Sequence, residues 1–108
     1  MGQAMGTWAY MSPEQARGDW DRVGPASDVF SLGATLYQIL TGKTPYATAD
    51  MPADVLAGRF PPATSIGAGV SKALDAVCQK AMAFDPSRRY ADARDLAADV
   101  ERLSLIHI

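Results

Sequence analysis

The sequence predicts an all-α fold, because helical patterns recur along its 108 residues and no alternating strand pattern stands out among them. One segment, residues 28–41, is apolar on nearly every side of a helix, and two later segments carry apolar residues at three- and four-residue steps. Glycine and proline separate these patterns into about five helices. Since 48% of the residues are hydrophobic and 20% are charged, the chain is expected to fold around a core.

The first predicted helix is short and covers Pro13 to Gly18, after a glycine-containing loop over residues 1–12. Proline suits the first turn of a helix, Glu14 stands at its positive end, and Gly18 closes it. A second loop follows over residues 19–25 and contains a Gly-Pro pair.

The central helix is predicted to start at a cap provided by Ser27 or Asp28, to run to about Thr41 and to stop at Gly42. Its apolar side chains are spread nearly all round the helix rather than along one stripe. They are Val29, Phe30, Leu32, Leu36, Tyr37, Ile39 and Leu40. A helix of this kind is normally buried on most sides, so it needs more protein around it than a three-helix bundle supplies.

Three further helices complete the prediction. A short one covers Met51 to Ala57, and a loop over residues 61–69 separates it from the next, which starts near Ser71 and ends at Asp85-Pro86. The last helix begins after Tyr90, with Asp92 as its cap. Both long helices carry an amphipathic stripe. The stripes consist of Leu74, Val77, Cys78, Ala81 and Met82, and of Ala93, Leu96, Ala97, Val100 and Leu103.

Composition excludes several classes of protein. The net charge of −2 gives no electrostatic case for a nucleic-acid partner. The first 20 residues lack the pattern of a signal peptide, and the longest apolar stretch, residues 29–40, is too short and too polar to span a bilayer. These features predict a cytoplasmic chain without a membrane segment of its own.

Single copies of cysteine and histidine limit the chemistry further. Cys78 has no partner for an intramolecular disulfide, which suits a reducing compartment, and it is interpreted as a core residue. His107 is the only histidine and stands beside the terminus, so no metal site is predicted. The tail over residues 105–108 is predicted to be irregular, and two interpretations stay open for it: a segment packed in a groove, or a scar of cloning or sequencing.

Four separated segments together resemble the large lobe of eukaryotic-type Ser/Thr protein kinases, especially the bacterial members. Residues 6–15, Gly-Thr-Trp-Ala-Tyr-Met-Ser-Pro-Glu-Gln, are similar to the end of an activation segment, with Ser-Pro-Glu where the family usually has Ala-Pro-Glu. Residues 27–33, 40–46 and 85–90 resemble the start of the central large-lobe helix, the turn after it, and the turn before the final helix. The resemblance assigns residues 1–104 to the C-terminal part of a kinase domain, with one buried helix at its centre.

The resemblance implies an ion pair and an anchor. In the family, the Glu of this motif pairs with an Arg in the later turn, which implies a buried pair between Glu14 and Arg89; the alternative is two unrelated surface charges. Asp28 takes the place of the Asp that accepts hydrogen bonds from the catalytic loop, a role compatible with capping its own helix. Since the catalytic loop is absent from these residues, Asp28 is expected to lack its distal partner.

A substrate-side loop is also implied, formed by Gly6, Thr7 and Trp8. Thr7 would border the substrate hydroxyl and contact the catalytic Asp and Lys of an intact kinase, and the Gly6-Thr7 pair points to Ser/Thr specificity. The alternatives are an ordinary loop threonine at position 7 and a packing role for Trp8.

Missing motifs limit what this chain does by itself. Phosphoryl transfer in the family needs a Gly-rich loop, a strand Lys, a catalytic-loop Asp and Asn, and an Asp-Phe-Gly metal site, and none occurs in the sequence. The resemblance therefore implies a parent Ser/Thr kinase that binds ATP and Mg²⁺ elsewhere, that phosphorylates Ser/Thr of proteins, and that is cytoplasmic or anchored to the inner membrane by a segment outside this chain. The fragment alone is expected to be inactive, with the N-terminal remainder of the kinase domain as its partner.

A second hypothesis comes from another class: a non-catalytic, kinase-like module that binds proteins through the surface near Trp8, Tyr46 and the helix around Met51. An exposed apolar patch would support this hypothesis.

Overall fold

The computed structural model describes residues 9–46, 51–67 and 69–106. These ranges are helical and contain no strand, which confirms the predicted all-α class. The elements in chain order are α1 (Pro13–Ala16), α2 (Pro25–Thr41), α3 (Met51–Ala57), α4 (Ala63–Ile66), α5 (Lys72–Ala81), a 3₁₀ turn (Pro86–Arg88) and α6 (Ala93–Ile106). Within the described ranges, no helix combines the length and the apolar character needed to cross a bilayer.

The described helices number six rather than about five, because α4 lies in the segment predicted to be a loop. A single turn of this kind is too short to show apolar periodicity. The Asp75 carboxylate on α5 accepts a hydrogen bond from the Ala63 N–H at 2.8 Å, and this contact holds α4 against α5.

The central helix α2 starts earlier than predicted. Its cap is Gly24, and Pro25 occupies the first turn, where a missing N–H costs nothing. Ser27, predicted as a cap, lies inside the helix, and its hydroxyl accepts a hydrogen bond from the Gly24 N–H at 3.2 Å. At the other end Gly42 adopts φ 77°, a left-handed conformation that favours glycine, and the helix stops there as predicted.

Two more boundaries differ from the prediction. Helix α5 ends at Ala81, four residues before Asp85, and the carbonyls of Ala83 and Phe84 bind a side chain instead of continuing the helix. Helix α6 runs to Ile106 and so takes in the first two residues of the tail predicted to be irregular. Leucine is a good helix former, and no glycine or proline stops this helix before Ile106.

Helix α2 organises the core, as its pattern predicted. It packs against α4, α5, α6 and the 3₁₀ turn. Adjacent residues on α2 belong to two different hydrophobic clusters. Phe30 belongs to the first, with Ala34, Tyr37, Tyr46, Val55, Ala63, Cys78 and Met82. Val29 belongs to the second, with Val77, Ala81, Tyr90, Leu96 and Leu103.

Candidate functional site

The centre of the candidate site is an ion pair between α1 and the segment before α6. The Arg89 guanidinium donates two hydrogen bonds to the Glu14 carboxylate, from Nη1 to Oε2 at 2.6 Å and from Nη2 to Oε1 at 2.9 Å. Both side chains are fully shielded from solvent. The structure thus brings together the two residues that the sequence resemblance had paired, and it does so in the bidentate geometry that suits arginine.

The remaining donors of Arg89 bind main-chain carbonyls. Its Nε donates to Ala83 at 2.7 Å, Nη1 donates to Ala26 at 3.0 Å, and Nη2 donates to Phe84 at 3.2 Å. All five N–H groups of the guanidinium therefore have a partner. The guanidinium also lies 5.0 Å from the centroid of the Phe30 ring, close enough for a cation–π contact.

Local structure holds both members of the pair in place. Glu14 lies in the first turn of α1, whose start is capped reciprocally by Ser12 and Gln15, with Pro13 in the first turn. Arg89 directly follows the 3₁₀ turn, whose cap Asp85 accepts a hydrogen bond from the Ser87 N–H at 3.0 Å. A local cap thus supports each member of the pair.

The protonation state of Glu14 follows from these contacts. Burial by itself would raise the pKa of the carboxyl, but the hydrogen bonds from Arg89 and Ser27 outweigh it and lower the pKa from 4.5 to about 2. Glu14 is therefore ionised at neutral pH and holds Arg89 as a charged partner.

Ser27 is the member of this site that sequence reasoning missed as a site residue. It is fully buried, and its hydroxyl donates to Glu14 Oε2 at 2.7 Å. The sequence offered only the Ser-Asp pair at the start of a helix, a pattern that indicates a cap and not a contact with a residue 13 positions away.

Asp28, the predicted anchor for a catalytic loop, is exposed in the first turn of α2. Its side chain makes no hydrogen bond or ion pair within the described part of the chain. Gly6, Thr7 and Trp8, the predicted substrate-side loop, lie outside the described residues. Tyr10, two positions after Trp8 in the chain, donates a hydrogen bond from its hydroxyl to Gln38, and its carbonyl accepts one from the Ser31 hydroxyl at 2.8 Å.

An apolar groove of about 390 Å³ runs between α2 and α6. On the α2 side, Ile39 is 74% exposed and Leu32 is 44% exposed, although the opposite side of the same helix is fully buried. The lining residues are Leu32, Thr35, Leu36, Ile39, Ala93, Leu96, Ala97, Val100 and Glu101. Within the described part of this chain, α2 is thus buried on one side and open on the side that faces the groove.

Among the described residues, no three His, Cys, Asp or Glu side chains cluster in a way that would hold a metal ion. The Gly67–Gly69 segment follows the short helix α4 and no strand, so it lacks the context of a phosphate-binding loop. What the site provides is a rigid attachment between the segment after residue 8 and the helical scaffold.

The protein kinase domain family matches residues 1–99, and the chain belongs to that family. The serine/threonine-protein kinase PknB of Mycobacterium tuberculosis is 44% identical over 103 residues, and PknH of Mycobacterium bovis is 39% identical over 100 residues. These matches cover 92% and 90% of this chain, which spans only 16% of the length of each relative.

Proposed function

We propose that this chain is the C-terminal part of the large lobe of a Ser/Thr protein kinase that transfers the γ-phosphate of ATP to serine or threonine of proteins. The observation that carries this proposal is the buried, bidentate pair between Glu14 and Arg89, which joins the end of the activation segment to the turn before the final helix. The similarity to mycobacterial Ser/Thr kinases over nine-tenths of the chain supports it.

In this proposal the chain provides substrate positioning. Residues 6–8 form the loop that faces the substrate hydroxyl, with Thr7 contacting the catalytic groups. Glu14, held by Arg89 and Ser27, fixes the segment that follows this loop on the helical scaffold. Catalysis in kinases is largely positioning together with electrostatic stabilisation, so a fixed loop contributes directly to rate. ATP and Mg²⁺ supply the phosphoryl group and the charge neutralisation, at residues outside this chain.

The N-terminal remainder of the kinase domain is proposed to cover the groove between α2 and α6. The groove is apolar, and the exposed carboxylate of Asp28 stands one turn before Leu32 at one end of it. An apolar helix from the rest of the domain would fill the groove, and a backbone N–H from the same part of the protein would donate to the Asp28 carboxylate. We place the intact kinase in the cytoplasm, where ATP is available, with any membrane anchor in another part of the protein.

A non-catalytic interaction module is supported less well. The groove is an exposed apolar surface of the kind such a module would use. However, Tyr46, which that hypothesis placed at the binding surface, is fully buried against Phe30 and Phe60. The groove lies between α2 and α6 and not near Tyr46, so the geometry favours the kinase fragment.

The test compares the full-length protein with the 108-residue chain. Labelled ATP and a protein substrate are supplied, and the phosphorylated amino acids are identified by mass spectrometry. We expect phosphoserine or phosphothreonine from the full-length protein, and neither ATP binding nor transfer from the chain alone. Exclusive phosphotyrosine, or transfer by the isolated chain, would contradict the proposal.

A further inference from the structure

The Ser27 hydroxyl connects two elements in opposite directions. It donates to Glu14 Oε2 at 2.7 Å, which reaches α1, and it accepts from the Gly24 N–H at 3.2 Å, which fixes the start of α2. A cap of α2 would need only the second bond. The first is a long-range contact between fully buried groups, 13 positions apart in the chain.

A second side chain, that of Arg89, also holds the start of α2. Arg89, which holds Glu14, also donates to the carbonyl of Ala26 at 3.0 Å. Ser27 and Arg89 therefore bind both the same carboxylate and the same turn of α2. Asp28 is the next residue in that turn, so its position depends on the same set of hydrogen bonds.

We propose that Ser27 is a positioning residue for phosphoryl transfer. It holds Glu14, and with it the segment that follows the substrate-side loop, in a fixed position relative to the catalytic-loop anchor Asp28. This inference rests on the proposed kinase function, because that function assigns the substrate side to the segment at Glu14 and the catalytic-loop anchor to Asp28. Ser27 touches neither substrate nor nucleotide, and it acts through Glu14 and the first turn of α2.

The geometry predicts a selective kinetic defect. A hydroxyl removed from this position leaves the Gly24 N–H without its partner and the Glu14 carboxylate with one donor fewer. Because small misplacements of a substrate-positioning group are costly in rate, we expect Ser27→Ala to lower kcat/KM for a protein substrate by about tenfold. The KM for ATP is expected to stay unchanged, since the nucleotide binds outside this chain.

A matched control separates positioning from loss of stability. Ser71 caps α5 by accepting from the Ala73 and Leu74 N–H groups at 3.1 and 3.3 Å, and both contacts are local. Ser71→Ala removes a hydroxyl with a similar number of partners but does not touch Glu14. This variant is expected to keep wild-type kcat/KM even where its thermal stability falls as far as that of Ser27→Ala.

The experiment uses the full-length protein and two measurements. Steady-state kinetics are measured for wild type, Ser27→Ala and Ser71→Ala, and amide hydrogen exchange is followed in residues 9–17 and 24–28. The proposal expects the kinetic defect and faster exchange in those segments for Ser27→Ala alone. It is overturned where Ser27→Ala keeps its kcat/KM, or where Ser71→Ala loses as much.

Hydrogen exchange also keeps the two proposals separate. A wild-type protein that transfers no phosphate would contradict the kinase function, and the role of Ser27 would then be judged on exchange alone. Unchanged exchange in residues 9–17 of Ser27→Ala would overturn the positioning role whatever the catalytic result.

Discussion

Arg89 and Glu14 stand 75 positions apart in the chain and meet through two hydrogen bonds, with both side chains shielded from water. An isolated charge at such a place would be strongly destabilising, so each residue depends on the other. The pair ties α1 to the segment before α6, and the main-chain contacts of Arg89 bring the start of α2 into the same network.

Removal of either partner is expected to destabilise the fold by about 3–5 kcal/mol, because the other charge is left buried without compensation. Glu14→Ala, Arg89→Ala and the double variant are compared by chemical denaturation, and the double variant is expected to lose much less than the two single losses added together. The exposed pair of Arg22 and Asp19, 3.7 Å apart, is the control, for which each loss should stay below about 1 kcal/mol. Additive losses at Glu14 and Arg89 would contradict the pairing.

Lysine is expected to be a poor substitute for Arg89. The guanidinium uses five donors in a fixed planar fork, to one carboxylate and three carbonyls, and an ammonium group offers only three. Arg89→Lys keeps the charge but leaves carbonyls without a donor, so we expect a loss of about 2 kcal/mol or more in the free energy of unfolding. Wild-type stability in this variant would show that charge alone is sufficient.

Acid is expected to weaken the same site. The pKa of Glu14 is about 2 in the folded state and 4.5 ordinarily, so the unfolded state binds more protons between those values. The contribution of Glu14 to stability is therefore fully present above about pH 4.5 and is lost as the pH falls towards 2, an effect on the order of 3 kcal/mol.

Carboxyl NMR titration directly measures the midpoint of the Glu14 titration, which is its pKa in the folded state. In Ser27→Ala the midpoint should rise, since one hydrogen bond to the carboxylate is gone; a midpoint near 4.5 in wild type would contradict this account.

The parts of the fold that could be predicted are those set by local chemistry. Gly42 ended α2 where its sequence position indicated, and the apolar pattern of α2 identified the central helix. The end of α5 could not be found from Asp85-Pro86. The carbonyls of Ala83 and Phe84 bind the Arg89 side chain, and apolar periodicity gives no sign of such a contact.

The same distinction holds for the site. Glu14 and Arg89 were identified through a motif resemblance, which carries long-range information that periodicity does not. Ser27 was seen only as a cap, since its bond to Glu14 depends on how α1 packs against α2. Sequence pattern likewise placed apolar residues all round α2, but it did not indicate which side would be left uncovered next to α6.

Gly33 is expected to resist substitution because α2 and α5 approach closely at this point. A Cβ added at Gly33 would lie 2.7 Å from the Ala81 Cβ and 2.9 Å from the Met82 Cγ, and the first of these atoms has no freedom to move aside. Alanine would improve helix propensity by about 1 kcal/mol, but overpacking of a core costs about 1–3 kcal/mol, so Gly33→Ala should be destabilising overall. Gly24→Ala, where the new Cβ meets nothing within 4 Å, changes only the cap of α2 and is the control, with a smaller loss expected in thermal denaturation. A Gly33→Ala variant more stable than wild type would mean that the two helices separate without loss.

Two buried tyrosines are expected to respond in opposite directions to loss of the hydroxyl. Tyr37 and Tyr46 are almost completely buried, but the Tyr37 hydroxyl donates to the carbonyl of Pro61 at 2.7 Å, whereas the Tyr46 hydroxyl has no hydrogen-bond partner within the described part of the chain. Tyr37→Phe should lose about 1 kcal/mol, because the hydrogen bond to the carbonyl of Pro61 is removed. Tyr46→Phe removes a buried polar group that no described residue compensates, so it should be neutral or stabilising by up to about 1 kcal/mol. The same denaturation measurement on both variants decides the matter, since each variant is the volume-matched control of the other. A loss at Tyr46 as large as that at Tyr37 would mean that its hydroxyl is paired in solution, and the core around Phe30 would then hold a polar contact in addition to its ring packing.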